Sequence, residues 1–457
     1  MNVSSRVFSV VGLIALAASG GAIAQDLTPR LPAPAGAVAI VNARIVPVSR
    51  EPIDRGWVIM DQGKIASMGA GDLPSDPRRS VIDAKGLTLY PGLISAYTQM
   101  GLTEMGAVRA TRDFNEVGDV TPEVFAAVSV NPDSWLMPVA RSNGVLAFGV
   151  FPQGGVIAGR VSVTHADGWT WEDMTVRRDA GMVVSWPFMR VVRAWWMDQS
   201  EEEQLKRIRQ GQERVEKAFE TARAYIARKD AEPMTPTDIR WEAMRSVLGT
   251  AEKPAENPVF IEAQDVDQIL AALAWSRKAG VRVVIVGGRD APLCLEQIKD
   301  ARAGVIFNSP LTMPKRDDSP VTEGFDAPRL LVEAGVPVAI ASGEETPHER
   351  NLPYAAAICV AHGMKREDAV RAITLAPAQL LGVQDRLGSI EPGKDATLIL
   401  TDGDVLEVKT RTVRAFIAGR EVDLSNKQTI LAERYREKYR QQNEQKSRQA
   451  PGAAPAR

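Results

Sequence analysis

Apolar residues along the chain follow two different rhythms. After a Pro and Ala stretch, LPAPAGA, they alternate at Val38 and Ile40 and recur at Ile45 and Val46, a period that predicts strands. Trp57, Val58, Ile59 and Met60 run into Asp61-Gln62-Gly63-Lys64 and out through Ile65, which predicts a hairpin whose Gly63 supplies the positive φ of a tight reversal. Short strands follow at Val81-Ile82 and from Leu87 to Tyr90. Strand-like runs return in LGSIEPGKDATLILTDGD and VRAFIAGREV, between residues 387 and 422. Two β-rich segments at opposite ends, 37–88 and 385–424, predict one small β domain assembled from both.

Between them helix and strand alternate. Helical stretches end at Gly144, Gly280, Gly304 and Gly335 and pass directly into the runs SNGVLAFGV, KAGVRVVIVGG, RAGVIFNSP and EAGVPVAIASG. A glycine closing a helix in the left-handed conformation, followed by a buried strand, is the joint of a parallel βα unit. Such units across residues 89–384 predict an α/β fold, either a (β/α) barrel or a doubly wound sheet, and the pattern does not choose between them. One insertion stands out near 200–229. Ser200 and Glu203 form a capping box, and Leu205, Ile208, Val215, Phe219 and Ile226 share one face of a long helix. Trp186, Trp195 and Trp196, like Trp169 and Trp171, read as core or subunit contacts. Residues 425–457 read as a charged surface helix, with Ile430, Leu431, Tyr435 and Tyr439 along it, and a disordered tail.

Composition narrows the function. The 457 residues hold 55 Lys and Arg against 57 Asp and Glu, a net charge of −2 that gives no support to nucleic-acid binding. Apolar residues make up 45% and charged residues 25%, as in an ordinary globular protein. Only three histidines are present, His165, His348 and His362, with two cysteines, Cys294 and Cys359, so a histidine- or thiolate-rich metal centre is hard to build. The first 24 residues carry Arg6, an apolar run from Val7 to Ala18, and Ala22-Ile23-Ala24. They read as a cleavable secretory signal, which implies export to a periplasm; the run is too short to span a bilayer, and no later stretch of the mature chain spans one. Cys294 and Cys359 sit in apolar helical patterns and read as buried thiols rather than a disulfide.

The run VIDAKGLTLYPGLISAYTQMG resembles the entry to the barrel in the amidohydrolase superfamily, particularly the imidazolonepropionase-like metal-dependent hydrolases. The hairpin WVIMDQGKIASMG and the downstream LGSIEPGKDATLILTDGDVLE, ending in FIAGREV, are similar to the two halves of that family's β-sandwich, and AVRAITLAPAQLLGV looks like its last barrel helix. The resemblance implies a distorted TIM (β/α)8 barrel beside a small composite β-sandwich. It also implies one or two divalent metals, such as zinc, that ionise water and polarise a carbonyl for hydrolysis of C–N bonds.

The ligands for those metals are replaced. The family's His-x-His pair falls on Tyr97 and Gln99, its next histidines on Glu262, followed by Gln264, and on Val286, and its metal-binding aspartate on Gly343, with Glu344 adjacent. His165 reads as structural or superficial and His362 as a helix-end residue. His348, in the loop GEETPHERN with Glu344, Glu345 and Glu349, could face Glu262 across the barrel mouth and serve a hard cation or a general base; a solvated acidic loop is the simpler reading. Ser309 and Ser342 stand near strand ends without a nucleophile-elbow pattern, and Gly154-Gly155 lacks a phosphate-loop fingerprint.

The expectation is therefore an exported amidohydrolase-like protein without a resident metal or other cofactor, a catalytically degenerate subunit or small-molecule binding protein. It would form a homo-oligomer or pair with a metal-bearing relative. The alternative is a hydrolase of amide, cyclic amide or dipeptide bonds working through Glu262, Glu344 and His348. A purely structural envelope role is a third reading.

Overall fold

A computed structural model of the protein describes residues 28–449 apart from 77–78, 251–252, 309 and 344–345. The expected secretory signal and the end of the C-terminal tail lie outside the described residues. No described helix is long and apolar enough to cross a membrane.

The N-terminal rhythm of two gives β1 (Val38–Ile45), β2 (Ile53–Asp61), β3 (Lys64–Ala70), β4 (Ser80–Asp83) and β5 (Thr88–Pro91). A second sheet follows, made of β6 (Leu93–Thr98), β7 (Val145–Val150), β8 (Ile157–His165), β9 (Thr175–Ser185), β10 (Val259–Ala263), β11 (Val283–Gly287), β12 (Gly304–Phe307) and β13 (Val338–Ile340), hydrogen-bonded in that order. β13 comes back beside β6, so the sheet nearly closes into a barrel. Strand parity fills it. Val183, Phe260, Val284, Val286, Ile306 and Ala339 point inward and share one core, while Val259, Ile261, Val283, Ile285 and Val305 point outward against the surrounding helices.

The chain returns through β14 (Leu398–Thr401), β15 (Thr412–Ile417) and β16 (Arg420–Val422). The expected sandwich is one continuous sheet, ordered β16-β15-β14-β5-β1-β2-β3 with β4 also on β1. It curls so far that its ends meet: Ala396 N–H donates to Gly63 O at 2.9 Å, Gly419 N–H to Ala396 O at 2.9 Å. Inside the curl, Ile40, Ile45, Val58 and Leu89 pack with Leu398, Leu400 and Phe416 from the other end of the chain. Residues 387–397 are loop, not strand, because their backbone closes this curl instead of extending a ladder.

Other expectations need adjustment. β8 runs antiparallel to both β7 and β9, so a hairpin replaces one parallel βα unit of the barrel. Gly144, Gly280 and Gly335 do take left-handed φ values of 86°, 60° and 80°. Gly304 instead begins β12, and Arg302, with φ 50°, takes the left-handed turn. The insertion helix spans Glu201–Ala231, with the Ser200 and Glu203 capping box formed. Leu205 is exposed, because Gln204 occupies the inward side of that turn through hydrogen bonds with Val192 and Gln199. The final barrel segment is two short helices, Arg366–Ala372 and Leu375–Leu380. Cys294 and Cys359 are separate buried thiols, pushed up to about 11 and about 12 by burial. Trp186 stacks on Trp275 in the core, whereas Trp195 and Trp196 are exposed.

A buried charge cluster ties the parts together. Asp167 meets Arg141 at 3.1 Å, Arg30 at 3.3 Å and Arg420 at 2.5 Å, joining the barrel, the N-terminal segment and the curled sheet. With Asp167 nearly inaccessible, removing it strands several guanidiniums in a poorly hydrated site. Asp167→Ala is expected to lose about 3–5 kcal/mol of unfolding free energy in urea titration. Arg411→Gln, which breaks only the exposed Arg411–Asp402 pair, is expected to lose about 1 kcal/mol or less.

His165 lies on the same side of the barrel, opposite Ala147 at the start of β7. Burial pushes its imidazole down to about 4, with Asp395 opposing that shift and Arg386 reinforcing it. It stays neutral in the folded protein where the unfolded chain would bind a proton. Stability therefore falls as pH drops from about 6.5 to about 4 and levels off below that, by about 3 kcal/mol for this group. Unfolding curves of His165→Phe are expected to lack this component of the pH dependence.

Candidate functional site

Parallel barrels build their sites from side chains at the C-terminal ends of the strands. Here those ends bring together a phenol, a carboxamide, a hydroxyl and a carboxylate. On β10 the inward parity of Phe260 puts Glu262 inside as well. On β6, Ile94 and Ala96 face the interior, which would turn Tyr97 outward, but the register with β7 shifts between Ser95 and Thr98. This irregularity re-aims Tyr97 against the interior ring of Phe151, at 4.8 Å between centroids. The Tyr97 hydroxyl donates to Glu262 Oε1 at 3.2 Å and accepts from Gln153 Nε2 at 3.0 Å. Ser185, the last residue of β9, donates to Glu262 Oε2 at 2.5 Å. Burial raises the Glu262 carboxyl above its ordinary value, and the two hydroxyl donors only partly offset this. Burial first, then the Glu262 charge, raises Tyr97.

The other expected positions do not join this network. Gln99 accepts from Thr103 Oγ1 at 3.3 Å. Gln264 lies under Gly287, where a Cβ would fall 2.4 Å from its Nε2. Val286 is buried beside Glu262 in register. Gly343, with φ 68°, turns the chain after β13, and Glu344 and Ser309 lie outside the described residues. His348 is exposed in the short turn Thr346–Asn351. Its neighbour Glu349 is buried but accepts from Ser95 Oγ at 2.7 Å, on the outer side of β6. His362 stacks on Phe325 at 4.7 Å between centroids, with Asp326 at 4.0 Å. The three histidines thus occupy three separate parts of the molecule.

Ser185 and Gln153 were not singled out from the sequence. A polar residue ending the apolar run GMVVS is a usable signal for the first; the second lies in the hairpin that replaces a βα unit, which no local pattern announces. Nor does local pattern reveal the loop 310–322, which is tethered over the strand ends through ion pairs of Lys315 with Asp265 and of Arg316 with Asp290. Ser342, after β13, is buried with its Oγ unpaired among the described residues.

These residues do not fit a zinc centre of the implied kind, which requires three or four convergent nitrogen, sulfur or carboxylate ligands. Tyr97, Gln99, Glu262, Gln264, Val286 and Gly343 offer a single carboxylate, and its oxygens already accept two hydroxyl hydrogens. Among the described residues no group of three or more His, Cys, Asp or Glu side chains is placed to hold a metal ion. What the arrangement can do is accept or donate one proton, or hydrogen-bond a polar ligand. A buried carboxyl with a raised pKa weakens the fold as pH rises above the unfolded value, since ionisation is then favoured in the unfolded chain. Glu262→Gln is accordingly expected to raise the melting temperature at pH 8, with the gain shrinking towards pH 4.

A model described as the amidohydrolase family matches residues 178–432, more than half of the chain. Amidohydrolase tasK from Hapsidospora irregularis is 23% identical over 409 residues, covering 80% of this chain and 39% of that protein. Imidazolonepropionase from Thermoplasma volcanium is 35% identical over 97 residues, covering 21% of this chain and 23% of that one. The match therefore spans well under half the length of either curated relative. The structure is similar to that of an amidohydrolase from Thermotoga maritima MSB8, with a TM-score of 0.73 and 25% identity over 84% of this chain and 99% of that one. By its matched sequence and by its near-closed barrel with a curled side sheet, the chain belongs to the amidohydrolase family.

Proposed function

We propose that this protein is an exported, catalytically degenerate member of its family that binds a small polar molecule at the barrel mouth without metal-dependent hydrolysis. The observation that carries this reading is the Tyr97–Glu262–Ser185 network, in which residues at and beside the replaced ligand positions satisfy one another. Export rests on the leader-like first 24 residues. A partnership, with another copy or with a metal-bearing relative, is supported by large apolar side chains exposed on loops that follow barrel strands, among them Phe188, Trp195, Trp196 and Met313.

One observation favours a second reading. A carboxyl raised by burial is a suitable general acid or base, so Glu262 could promote hydrolysis of an amide, cyclic amide or dipeptide bond in an unconventional site. Metal analysis of the purified protein, with a hydrolase panel before and after chelation, separates the two. The expected outcome is substoichiometric zinc, manganese and iron, with no chelation-sensitive turnover. Stoichiometric metal lost together with activity overturns the first reading, and metal-independent turnover abolished by Glu262→Gln establishes the second. The double variant Tyr97→His/Gln99→His is expected to gain no stoichiometric zinc, because Val286 and Gly343 supply no further ligands.

A further inference from the structure

Beside the barrel mouth, the segment 186–199 and the insertion helix Glu201–Ala231 line a half-open cavity of about 360 Å³. That volume is within the range of small-molecule sites. Its apolar wall includes Val156, Phe188, Met197 and Ile208, and Ser185 links it to the Glu262 network. Every charged residue in its lining is an arginine: Arg190, Arg207 and Arg214.

Two further features bear on what the cavity takes. Gly211 lines it from the middle of a 31-residue helix, a position where glycine costs about 1 kcal/mol relative to alanine. A Cβ there would lie 2.9 Å from Pro187, so the glycine lets the segment 186–199 approach the helix and shape the space. The guanidiniums are also available. Arg207 makes no hydrogen bond or salt bridge among the described residues, and Glu203, one turn away on the same exposed helix face, acts on it only as a nearby charge. Arg190 pairs with Asp267 at 2.9 Å and Arg214 with Asp119 at 2.6 Å, and both pairs are well exposed to water. Pairs of that kind contribute little and yield readily to a competing anion held on an apolar surface.

We infer that this cavity binds a small amphiphilic anion, an apolar body carrying one carboxylate or phosphate head, with the body against Phe188, Met197 and Ile208 and the head on Arg207 and its neighbours. The two heads share the chemistry of an oxyanion received by planar guanidinium donors. The site goes beyond the reading of the barrel mouth: its occupancy requires neither a metal nor turnover, so the two proposals fail separately.

Titration calorimetry of the full chain with octanoate, octyl phosphate and 1-octanol tests it. Saturable binding of an anionic probe, at least about tenfold tighter than 1-octanol, is expected. The tighter of the two anions identifies the head group. Arg207→Gln is expected to weaken the anions about tenfold while leaving 1-octanol unchanged, with Arg190→Gln as a second probe of the same cavity and Arg411→Gln as the distant control. Thermal melts establish that each variant is folded. No saturable anion binding, equal affinity for 1-octanol, or affinity for the anions unaltered in both Arg207→Gln and Arg190→Gln overturns the inference.

Discussion

A carboxylate held by two neutral hydroxyls at the end of a barrel strand is the interaction on which the chemistry of the barrel mouth depends. In a metal hydrolase of this architecture a buried carboxylate draws compensation from a divalent cation. Here Glu262 receives hydrogen bonds from Tyr97 and Ser185, and its pKa rises because hydroxyls replace only part of the hydration it has lost. The same contacts that make the group tolerable use one acceptor site on each of its oxygens. Tyr97 is in turn steadied by Gln153 and by its contact with Phe151.

The architecture was legible because it is written in short-range signals. Alternation along Val38 to Ile45, the turn at Gly63 and the glycines before β7, β11 and β13 are local devices, and each has a local structural consequence. Tyr97 and Gln99 follow directly on a recognisable run, but which of them joins the network at the strand ends is not written in that run: Tyr97 meets Glu262, and Gln99 turns to Thr103. The reversal of β8 was not legible, since an apolar strand carries no mark of its direction. The re-aiming of Tyr97 by a register shift, and the capture of Glu349 by Ser95 outside the barrel, likewise depend on contacts between distant residues. His348 lies in a loop after β13 that could be read either as part of the mouth or as a solvated loop, and in the turn Thr346–Asn351 it is exposed, as the simpler of those readings has it.

Two regions bear different kinds of constraint. The barrel interior is apolar and fixed by strand parity, so changes there are felt as changes in packing. Around the mouth, the loop 310–322 is anchored by the pairs of Lys315 and Arg316 with Asp265 and Asp290. The insertion helix and the segment 186–199 add a wall on one side. Ligand contacts there can diverge without disturbing the core, which is how one scaffold supports different chemistries.

The curled sheet joins strands that are more than 300 residues apart in sequence, as in the pairing of Leu400 with Leu89. During synthesis, β1, β2 and β3 emerge well before the Leu398, Leu400 and Phe416 side chains that share their core. The nascent chain must therefore carry an incomplete hydrophobic surface throughout elongation, a period in which chaperone binding competes with aggregation. Completion of this sheet waits for its second segment, and it makes the folding of a protein that looks modular depend on strands from both sides of the barrel.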